Sequence, residues 1–364
     1  MALNSLINPI ADLRSDTFTR PGAEMRAAMA SAVVGDDMFG EDPTVNELEA
    51  EAASVTGFEA AMFVPSGTMA NQLAINVHTR PGDSVLIEAE SHVFIYEAGA
   101  GAALSGVQFD CLPSPDFTSW TDRADALIRD DNLHSVPTSL IVVENTHNRH
   151  GGRVFPATGL ERIRARVSLG KRLLAGSGRT LGLHCDGARI WNASAVTGIP
   201  VRELLAGFDS AAVCFSKGLG APVGSALCGS ANFIARARKV RKRWGGAMRQ
   251  SGIIAAGALY ALRHHRERLQ ADHAHARMLA ACFQDLCLSH PGEVLGAKIP
   301  EPCTNMVYLQ VRPERVQAVL ESLQARGVLA LTTGGGWIRA VTHLDVPASA
   351  MPAVCEAFKV AVLA

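Results

Sequence analysis

The chain has 364 residues, of which 48% are hydrophobic and 19% are charged, and its formal net charge is −1. This composition is typical of a globular protein with a large apolar core and excludes a mainly disordered chain. Acidic and basic residues are interspersed, apart from a short basic grouping at residues 236–243. Nucleic acid and anionic membranes are therefore not expected as partners.

Cysteine usage indicates a reducing compartment. The eight cysteines include no CxxC pair and lie mostly within apolar runs, so we interpret them as small buried side chains and expect no metal site. The first ten residues lack a cationic region followed by a long apolar run, and no stretch reaches the length of a membrane span. We expect a cytoplasmic protein.

The chain begins with a polar arm at residues 12–21, whose side chains are rich in hydrogen-bonding groups. A short helix is predicted over residues 23–31. Asp42 is a predicted N-cap, with Pro43 at the first helical position and apolar residues at helical spacing after it. That second helix is predicted to end at Gly57.

From residue 60 onward, short apolar runs alternate with helical patterns. The runs that predict strands are residues 60–64, 85–88, 107–112, 140–144, 180–186 and 210–216. Alternating strands and helices predict an α/β fold with a mostly parallel sheet and right-handed crossovers. Functional side chains are then expected at the carboxyl ends of the strands.

The pattern changes after residue 252. The predicted elements there are a long helix at 253–289, strands at 305–311 and 337–341, and helices at 314–326 and 348–360. We assign residues 22–252 to a large domain, and residues 1–21 with residues 253–364 to a smaller α/β domain.

Lys217 is the first candidate for a reactive residue. It follows a predicted strand among small residues, which could desolvate its amine and favour Schiff-base formation with a carbonyl. Gly218, Gly220 and Gly224 would let a flat ligand approach the backbone. On this segment alone, a surface lysine at the end of an edge strand is an equally good interpretation.

Two further features lie at predicted strand ends. Asp186 precedes Lys217 by one strand–helix unit, and a carboxylate there could keep a pyridine nitrogen protonated. Gly67 and Thr68 open a helix, where backbone N–H groups, the helix dipole and the Thr68 hydroxyl could cradle a phosphate. This short motif is a weak signal by itself.

His92, His147 and Arg339 each allow two interpretations. Either histidine could serve as a base, and His92 could also stack on a flat cofactor, although an isolated histidine is more often structural. Arg339 could bind a substrate carboxylate, or it could be a solvated residue of an edge strand. Together with Lys217 and Asp186, these residues describe a pocket for pyridoxal phosphate.

At these residues the sequence resembles the L-threonine aldolases, which are fold-type I pyridoxal-phosphate enzymes. The resemblance covers nearly the whole chain and is carried by DLRSDT at 12–17, GDD at 35–37, GEDPTVN at 40–46, PSGT at 65–68 with AN at 70–71, ENTHN at 144–148, DGARI at 186–190, SKGLG at 216–220, PVGS at 222–225, GG at 245–246, MRQSG at 248–252 and R339 with VTHLD at 341–345. The chain departs from the family pattern at Trp191, Trp244 and the three glycines of residues 334–336.

The resemblance implies a large domain with a mostly parallel seven-stranded sheet flanked by helices, plus a smaller C-terminal α/β domain. It also implies the cofactor contacts. Lys217 would carry pyridoxal phosphate as a Schiff base, and Asp186 would pair with the pyridinium nitrogen. His92 would stack on the ring, while Gly67 and Thr68 would hold the phosphate.

The same resemblance implies the substrate contacts and the assembly. Ser15, Arg189 and Arg339 would receive the substrate carboxylate, and His147 would lie near the β-hydroxyl. Arg249 would reach the phosphate in a neighbouring subunit. The family is typically a homotetramer, a dimer of dimers with sites built at the dimer interface, and its partner is a small amino-acid substrate.

The reaction implied is retro-aldol cleavage of L-threonine, L-allo-threonine and related β-hydroxy-α-amino acids to glycine and an aldehyde. Either His92 or His147 would be the base, directly or through water. The alternatives are an aldolase that prefers aryl substrates such as L-phenylserine, another fold-type I lyase or aminotransferase, and a non-catalytic binding protein.

Overall fold

The computed structural model describes residues 9–114, 117–174, 176 and 178–364. The first eight residues, which include most of the segment searched for a signal sequence and part of the predicted smaller domain, lie outside the described residues. Within those described ranges, no helix combines the length and apolar character needed to cross a membrane.

The described residues form strands in three sheets. In chain order these strands are β1 (Ala11–Asp12), β2 (Ala60–Val64), β3 (Ser84–Glu88), β4 (Gln108–Leu112), β5 (Thr138–Glu144), β6 (Gly182–Gly187), β7 (Ser210–Cys214), β8 (Ser225–Gly229), β9 (Val294–Lys298), β10 (Met306–Val311), β11 (Val328–Leu329), β12 (Leu331–Thr332) and β13 (Trp337–Val341).

The main sheet has seven strands in the order β2-β8-β7-β6-β5-β3-β4. Strands β3 to β7 run parallel, while β8 is antiparallel to both of its neighbours. All seven residues of β5 are buried, as its continuous apolar and β-branched sequence predicts for a strand covered on both faces. The predicted α/β fold with a mostly parallel seven-stranded sheet is confirmed.

Helices connect and cover these strands. They are α1 (Ala23–Ala30), α2 (Pro43–Thr56), α3 (Gly67–His78), α4 (His92–Ile95), α5 (Ala100–Ser105), α6 (Trp120–Arg123), α7 (Ala157–Leu174), α8 (Ile190–Thr197), α9 (Val201–Leu204), α10 (Ala231–Arg243), α11 (Gly252–His264), α12 (Leu269–Ser289), α13 (Val316–Ala325) and α14 (Met351–Leu363).

The second helix, α2, has the ends that the sequence predicts. Asp42 caps it, because its Oδ1 accepts a 3.0 Å hydrogen bond from the Val45 backbone N–H, and Pro43 occupies the first turn. Gly57 ends the helix with a φ of 79°, a left-handed conformation that glycine adopts without steric cost.

The C-terminal part has its own four-stranded antiparallel sheet, in the order β12-β13-β10-β9. The N-terminal arm joins this part of the molecule, because β1 pairs with β11 and places Ala11 opposite Val328. Leu13 is also buried in the C-terminal apolar cluster. The division of the chain into residues 22–252 and the segments 1–21 with 253–364 stays a prediction.

The single helix predicted over residues 253–289 is two helices, so that prediction is wrong. α11 packs Leu262 into the apolar cluster on the main sheet, whereas α12 packs Leu279 into the C-terminal cluster. The chain changes direction between them, so that each helix packs into a different cluster. No glycine or proline lies between residues 264 and 269 to mark this break in the sequence.

Candidate active site

The carboxyl ends of the central strands bring the principal polar residues together. Glu144 ends β5 and stands opposite Asp186 of β6 in the parallel register. Lys217 follows β7 by three residues. Because parallel strands direct their carboxyl ends to one edge of the sheet, residues far apart in the chain meet there.

A cavity of about 480 Å³ opens at this edge. It is lined by Ser15, Thr17, His92, Tyr96, Asn148, Arg189, Lys217, Leu331, Thr332, Thr333 and Arg339. Five of these are residues singled out from the sequence: Ser15, His92, Arg189, Lys217 and Arg339. The main sheet, the arm and the C-terminal sheet all contribute to the lining.

Lys217 is half-buried at the base of this cavity, in a turn held by backbone contacts. Its carbonyl accepts a 2.8 Å hydrogen bond from the Gly220 N–H and a 3.1 Å bond from the Thr19 hydroxyl. Gly220 has a φ of 79°, which closes the turn in a left-handed conformation. The turn fixes the backbone of Lys217, so the position of the amine depends on the side-chain torsion angles.

Asp186 is a buried carboxylate with one oxygen unsatisfied. Its Oδ1 accepts a 3.1 Å bond from the Ala188 N–H, whereas Oδ2 has no hydrogen-bond partner among the described residues. The residue is 1% exposed, and a buried polar atom without a partner costs about 1–3 kcal/mol. A ligand with an N–H donor would satisfy this oxygen.

His92 stands over Asp186 on the first residue of α4. Its backbone N–H donates to Glu144 Oε2 at 2.7 Å, and its ring Nδ1 lies 3.3 Å from Glu97 Oε1. Burial lowers the pKa of His92, but the hydrogen bond to Glu97 and the charges of Asp186 and Glu144 outweigh burial, so the pKa is raised overall.

Glu97 in turn is held by two amides. Its Oε1 accepts from Asn71 at 2.9 Å and its Oε2 accepts from Gln72 at 2.7 Å, both on α3. Asn71 also contacts His184, whose Nδ1 lies 2.8 Å from the Ser210 hydroxyl. A buried polar network therefore fixes the carboxylate that orients the His92 ring.

Arg189 is paired before any ligand binds. Its Nε and NH2 donate to the two carboxylate oxygens of Asp16 at 2.8 and 2.7 Å, and Asn305 donates to Asp16 at 3.2 Å. Burial raises the pKa of Asp16, yet the Arg189 charge overrides burial and the net shift is downward. This bidentate pair leaves NH1 as the nitrogen of Arg189 for a ligand.

Arg339 has a different environment, on β13 of the C-terminal sheet. Its NH1 donates to Asn148 Oδ1 and its NH2 to the Arg14 carbonyl, both at 2.9 Å. Its Nε is buried without a partner among the described residues. The guanidinium is thus held by neutral oxygens and faces the cavity opposite Arg189.

The start of α3 lies against the end of β7, outside the residues that line the cavity. The Ser66 hydroxyl caps the helix by accepting from the Met69 N–H at 3.1 Å. A side chain at Gly67 would collide with the Cys214 sulfur, which would lie 2.8 Å from an added Cβ. Gly67 therefore permits close packing against β7, and Thr68 is exposed at the helix N-terminus.

Five predicted site residues do not line the cavity in a single chain: Gly67, Thr68, His147, Asp186 and Arg249. Arg249 is 61% exposed and pairs with Asp36 at 3.0 Å. His147 is 2% exposed, with its Nε2 2.9 Å from Glu88 Oε2. Its neighbour Asn148 lines the cavity instead.

Comparison with known proteins identifies the family of this site. The sequence profile described as "Beta-eliminating lyase" matches residues 12–312, which is most of the chain. The chain belongs to this lyase family.

Curated relatives support the family at the level of sequence. The low specificity L-threonine aldolase of Escherichia coli strain K12 is 40% identical over 336 residues, covering 92% of this chain and 94% of the relative. The low specificity L-threonine aldolase of Saccharomyces cerevisiae is 38% identical over 311 residues, covering 84% of this chain and 75% of the relative. The resemblance drawn from the sequence motifs is confirmed.

Solved structures share the fold. Leishmania major threonine aldolase matches with a TM-score of 0.76 at 18% identity, covering 96% of this chain and 99% of that one. Sphingomonas wittichii serine palmitoyltransferase matches with a TM-score of 0.72 at 17% identity, covering 96% and 86%. The predicted fold-type I architecture of this lyase is confirmed.

Sequence reasoning missed several residues of the lyase site. Asp16 and Glu97 are buried acids whose partners lie far along the chain, so nothing local marks them. Asn148 adjoins the predicted His147 and would have required the direction of its side chain. Tyr96 and Thr333 line the cavity from loops with no motif.

Proposed function

We propose that this chain cleaves L-threonine, L-allo-threonine and related β-hydroxy-α-amino acids to glycine and an aldehyde, with pyridoxal phosphate as cofactor. The single observation that carries the proposal is one cavity lined by Lys217, Arg189 and Arg339, beside the unsatisfied carboxylate of Asp186. The two curated relatives described above are named low specificity L-threonine aldolases, which supports this substrate class.

The residues present fit pyridoxal phosphate. Lys217 would hold its aldehyde carbon, and Asp186 Oδ2 would accept the hydrogen of the ring nitrogen. His92 would cover the ring, and the N-terminus of α3 at Gly67 and Thr68 would hold the phosphate. Bound there, the cofactor supplies an electron sink for the bond that breaks at Cα.

The two arginines would orient the substrate. Arg189 NH1 and Arg339 Nε would bind the carboxylate from opposite walls, with the Ser15 hydroxyl as a third donor. Fixing the carboxylate would set which Cα bond is aligned for cleavage, and the proposed reaction requires that bond to be Cα–Cβ. Binding energy at the carboxylate thus contributes to orientation of the reacting bond.

His92 is the proposed acceptor of the β-hydroxyl proton. It lines the cavity, whereas the second candidate, His147, is held behind Asn148 by its contact with Glu88. Glu97 would stabilise the proton on His92, because a neighbouring carboxylate favours the imidazolium. His147 would need an intervening water to reach the hydroxyl.

We propose a homotetramer, built as a dimer of dimers, in the cytoplasm, with no nucleic-acid or membrane partner. Arg249 carries the assembly argument. Its side chain is 61% exposed, and the resemblance to the L-threonine aldolases implies that it reaches the phosphate held by a neighbouring subunit. Light scattering after gel filtration tests the assembly, and a monomer would contradict it.

The experiment for the reaction itself is a product assay with matched variants. Wild-type protein loaded with cofactor should release glycine and acetaldehyde from L-threonine without any keto acid. Lys217→Ala should abolish turnover, with the exposed Lys239→Ala as control. Failure to release acetaldehyde, or a requirement for a keto acid, would contradict the proposal.

A substrate panel then separates the aldolase alternatives. L-threonine, L-allo-threonine and both L-phenylserine diastereomers probe the wall formed by Tyr96, Leu331 and Thr333. Comparable turnover of threonine and allo-threonine supports low specificity. Turnover of phenylserine alone would identify an aryl-preferring aldolase.

A further inference from the structure

A glutamate and two histidines form a buried cluster behind the cavity wall. Glu88 ends β3, while His147 and His150 lie in the loop after β5. His147 Nε2 lies 2.9 Å from Glu88 Oε2, and His150 Nε2 lies 3.8 Å from Glu88 Oε1. One ligand atom from each side chain lies within 4.8 Å of the other two. The side chains of Glu88, His147 and His150 are 3%, 2% and 10% exposed.

Polar atoms of this cluster are left unsatisfied. Glu88 Oε1 and His150 Nε2 are both buried without a hydrogen-bond partner among the described residues. Their separation of 3.8 Å is too long for a hydrogen bond. Two atoms that bind one zinc ion at about 2.0–2.2 Å lie roughly 3–4 Å apart, so this gap has the width of a shared cation.

The surrounding charge also favours a cation. Glu90 Oε2 lies 3.6 Å from His150 Nε2, and Glu144 Oε2 lies 3.7 Å from His147 Nε2. With Glu88, three carboxylates therefore surround the two imidazoles. Arg149 contacts this group through Glu90 at 3.4 Å. The Lys298 ammonium also interacts with Glu90. With both imidazoles neutral, two cationic side chains against three carboxylates leave one negative charge for an ion to neutralise.

The two imidazoles are held in place by an aromatic side chain. The Phe117 ring packs against His147 and His150, with centroids 5.5 and 5.1 Å away. The His147 backbone N–H also donates to the Arg153 carbonyl at 2.9 Å. The nitrogens that face Glu88 are thus fixed on one side by packing, which is the preorganisation that a metal site requires.

We propose that Glu88, His147 and His150 bind one divalent transition-metal ion, for which zinc is the best fit. Two imidazoles and a carboxylate suit zinc and disfavour magnesium and calcium, which prefer oxygen ligands alone. Three protein ligands leave one position for water. Glu90, whose side chain is 38% exposed, lies at the outer side and gives the ion a path from solvent.

This site goes beyond the proposed lyase activity, but it adjoins the cavity. Asn148 lies between the two histidine ligands in the chain and accepts a hydrogen bond from Arg339. An ion bound by the histidines on both sides of Asn148 would fix the loop that positions this contact. It would also engage His147 Nε2, leaving His92 as the proton acceptor.

The test is metal retention by the holoenzyme. The protein is dialysed against a chelator, incubated with Zn²⁺, desalted and analysed for metal by mass spectrometry. Wild type should retain about one zinc per chain, and His150→Gln should retain less than about a tenth of that. His134→Ala, which removes an exposed histidine, should match wild type. Equal zinc in wild type and His150→Gln would overturn the site.

X-ray absorption at the zinc edge identifies the zinc ligands in wild type and therefore tests the site even if His150→Gln fails to fold. Zinc-loaded wild type should show two imidazole ligands with oxygen neighbours. Sulfur ligands, or no more than one imidazole, would overturn the assignment, as would zinc retention by wild type no greater than its retention of Mg²⁺.

Discussion

The two walls of the cavity hold their arginines in opposite ways. On the wall from the main sheet, Arg189 is neutralised by the buried carboxylate of Asp16. On the wall from the C-terminal sheet, Arg339 is held by an amide oxygen and a backbone carbonyl. We infer that Arg189 is mainly part of the folded framework and keeps only NH1 for a ligand, whereas the charge of Arg339 is not neutralised by a carboxylate.

The largest effect on stability is expected from removing the carboxylate that neutralises Arg189 on the first wall. Asp16→Ala would leave Arg189 buried with no compensating charge, which typically destabilises a protein by about 3–5 kcal/mol. Urea denaturation measures the loss. Glu47→Ala, which removes an exposed pair with Arg263, is the control and should cost less than about 1 kcal/mol. Similar losses in both variants would contradict the contrast between buried and exposed pairs.

Low pH should lower the free energy of unfolding through His184, a buried histidine of β6. Burial lowers the pKa of His184 to about 4, below the value of about 6.5 in an unfolded chain. Between these values the unfolded state binds more protons, so stability falls as pH drops below about 6.5. We expect a loss of about 2 kcal/mol from this residue between pH 7 and pH 5.

The matched variant for this pH effect is His184→Gln, which keeps a polar group opposite Asn71 and Ser210. Its free energy of unfolding should fall less between pH 7 and pH 5 than that of wild type. Parallel pH profiles for the two proteins would show that His184 does not titrate on unfolding.

A substitution of Arg339 on the second wall should weaken substrate binding and leave the stability of the fold nearly unchanged. Arg339→Ala removes the charge-assisted contact proposed with the substrate carboxylate, worth about 2 kcal/mol, so KM should rise about 30-fold. Arg339→Lys should recover part of the loss, and melting temperatures should change little. An unchanged KM would remove Arg339 from the substrate site.

The smallest effect concerns His92, the proposed proton acceptor. Burial lowers the pKa of His92 and Glu97 raises it, so Glu97→Gln should lower the pKa from its raised value. The acid limb of kcat/KM should move to lower pH, while Glu41→Gln, which removes an exposed carboxylate, should keep the limb in place. An unmoved limb in Glu97→Gln would exclude His92 as the group that titrates.

The sequence predicted the parts of this site that depend on strand ends. Asp186 lies near the end of β6 and Lys217 follows β7, and parallel topology brings them to one edge. The role of Asp16 could not be predicted, because its partner Arg189 lies 173 residues away. The hairpin that carries Thr333 into the cavity is likewise set by tertiary packing, since its two-residue strand β12 has no periodic pattern.

Parts of the fold that depend on tertiary packing also could not be predicted from local sequence. The strand β8 was missed because its five residues follow a glycine-rich turn and contain only three apolar side chains in a row. The break between α11 and α12 was missed because it serves two separate apolar clusters, and neither cluster is visible from local periodicity.

The central claim is that Lys217 holds the cofactor, and borohydride reduction tests it most directly. Wild-type protein incubated with pyridoxal phosphate is reduced, digested and analysed by mass spectrometry. The account predicts a phosphopyridoxyl group on the peptide that contains Lys217, and its prevention by a saturating amino-acid substrate. Labelling of another lysine, or no stable label, would contradict the account.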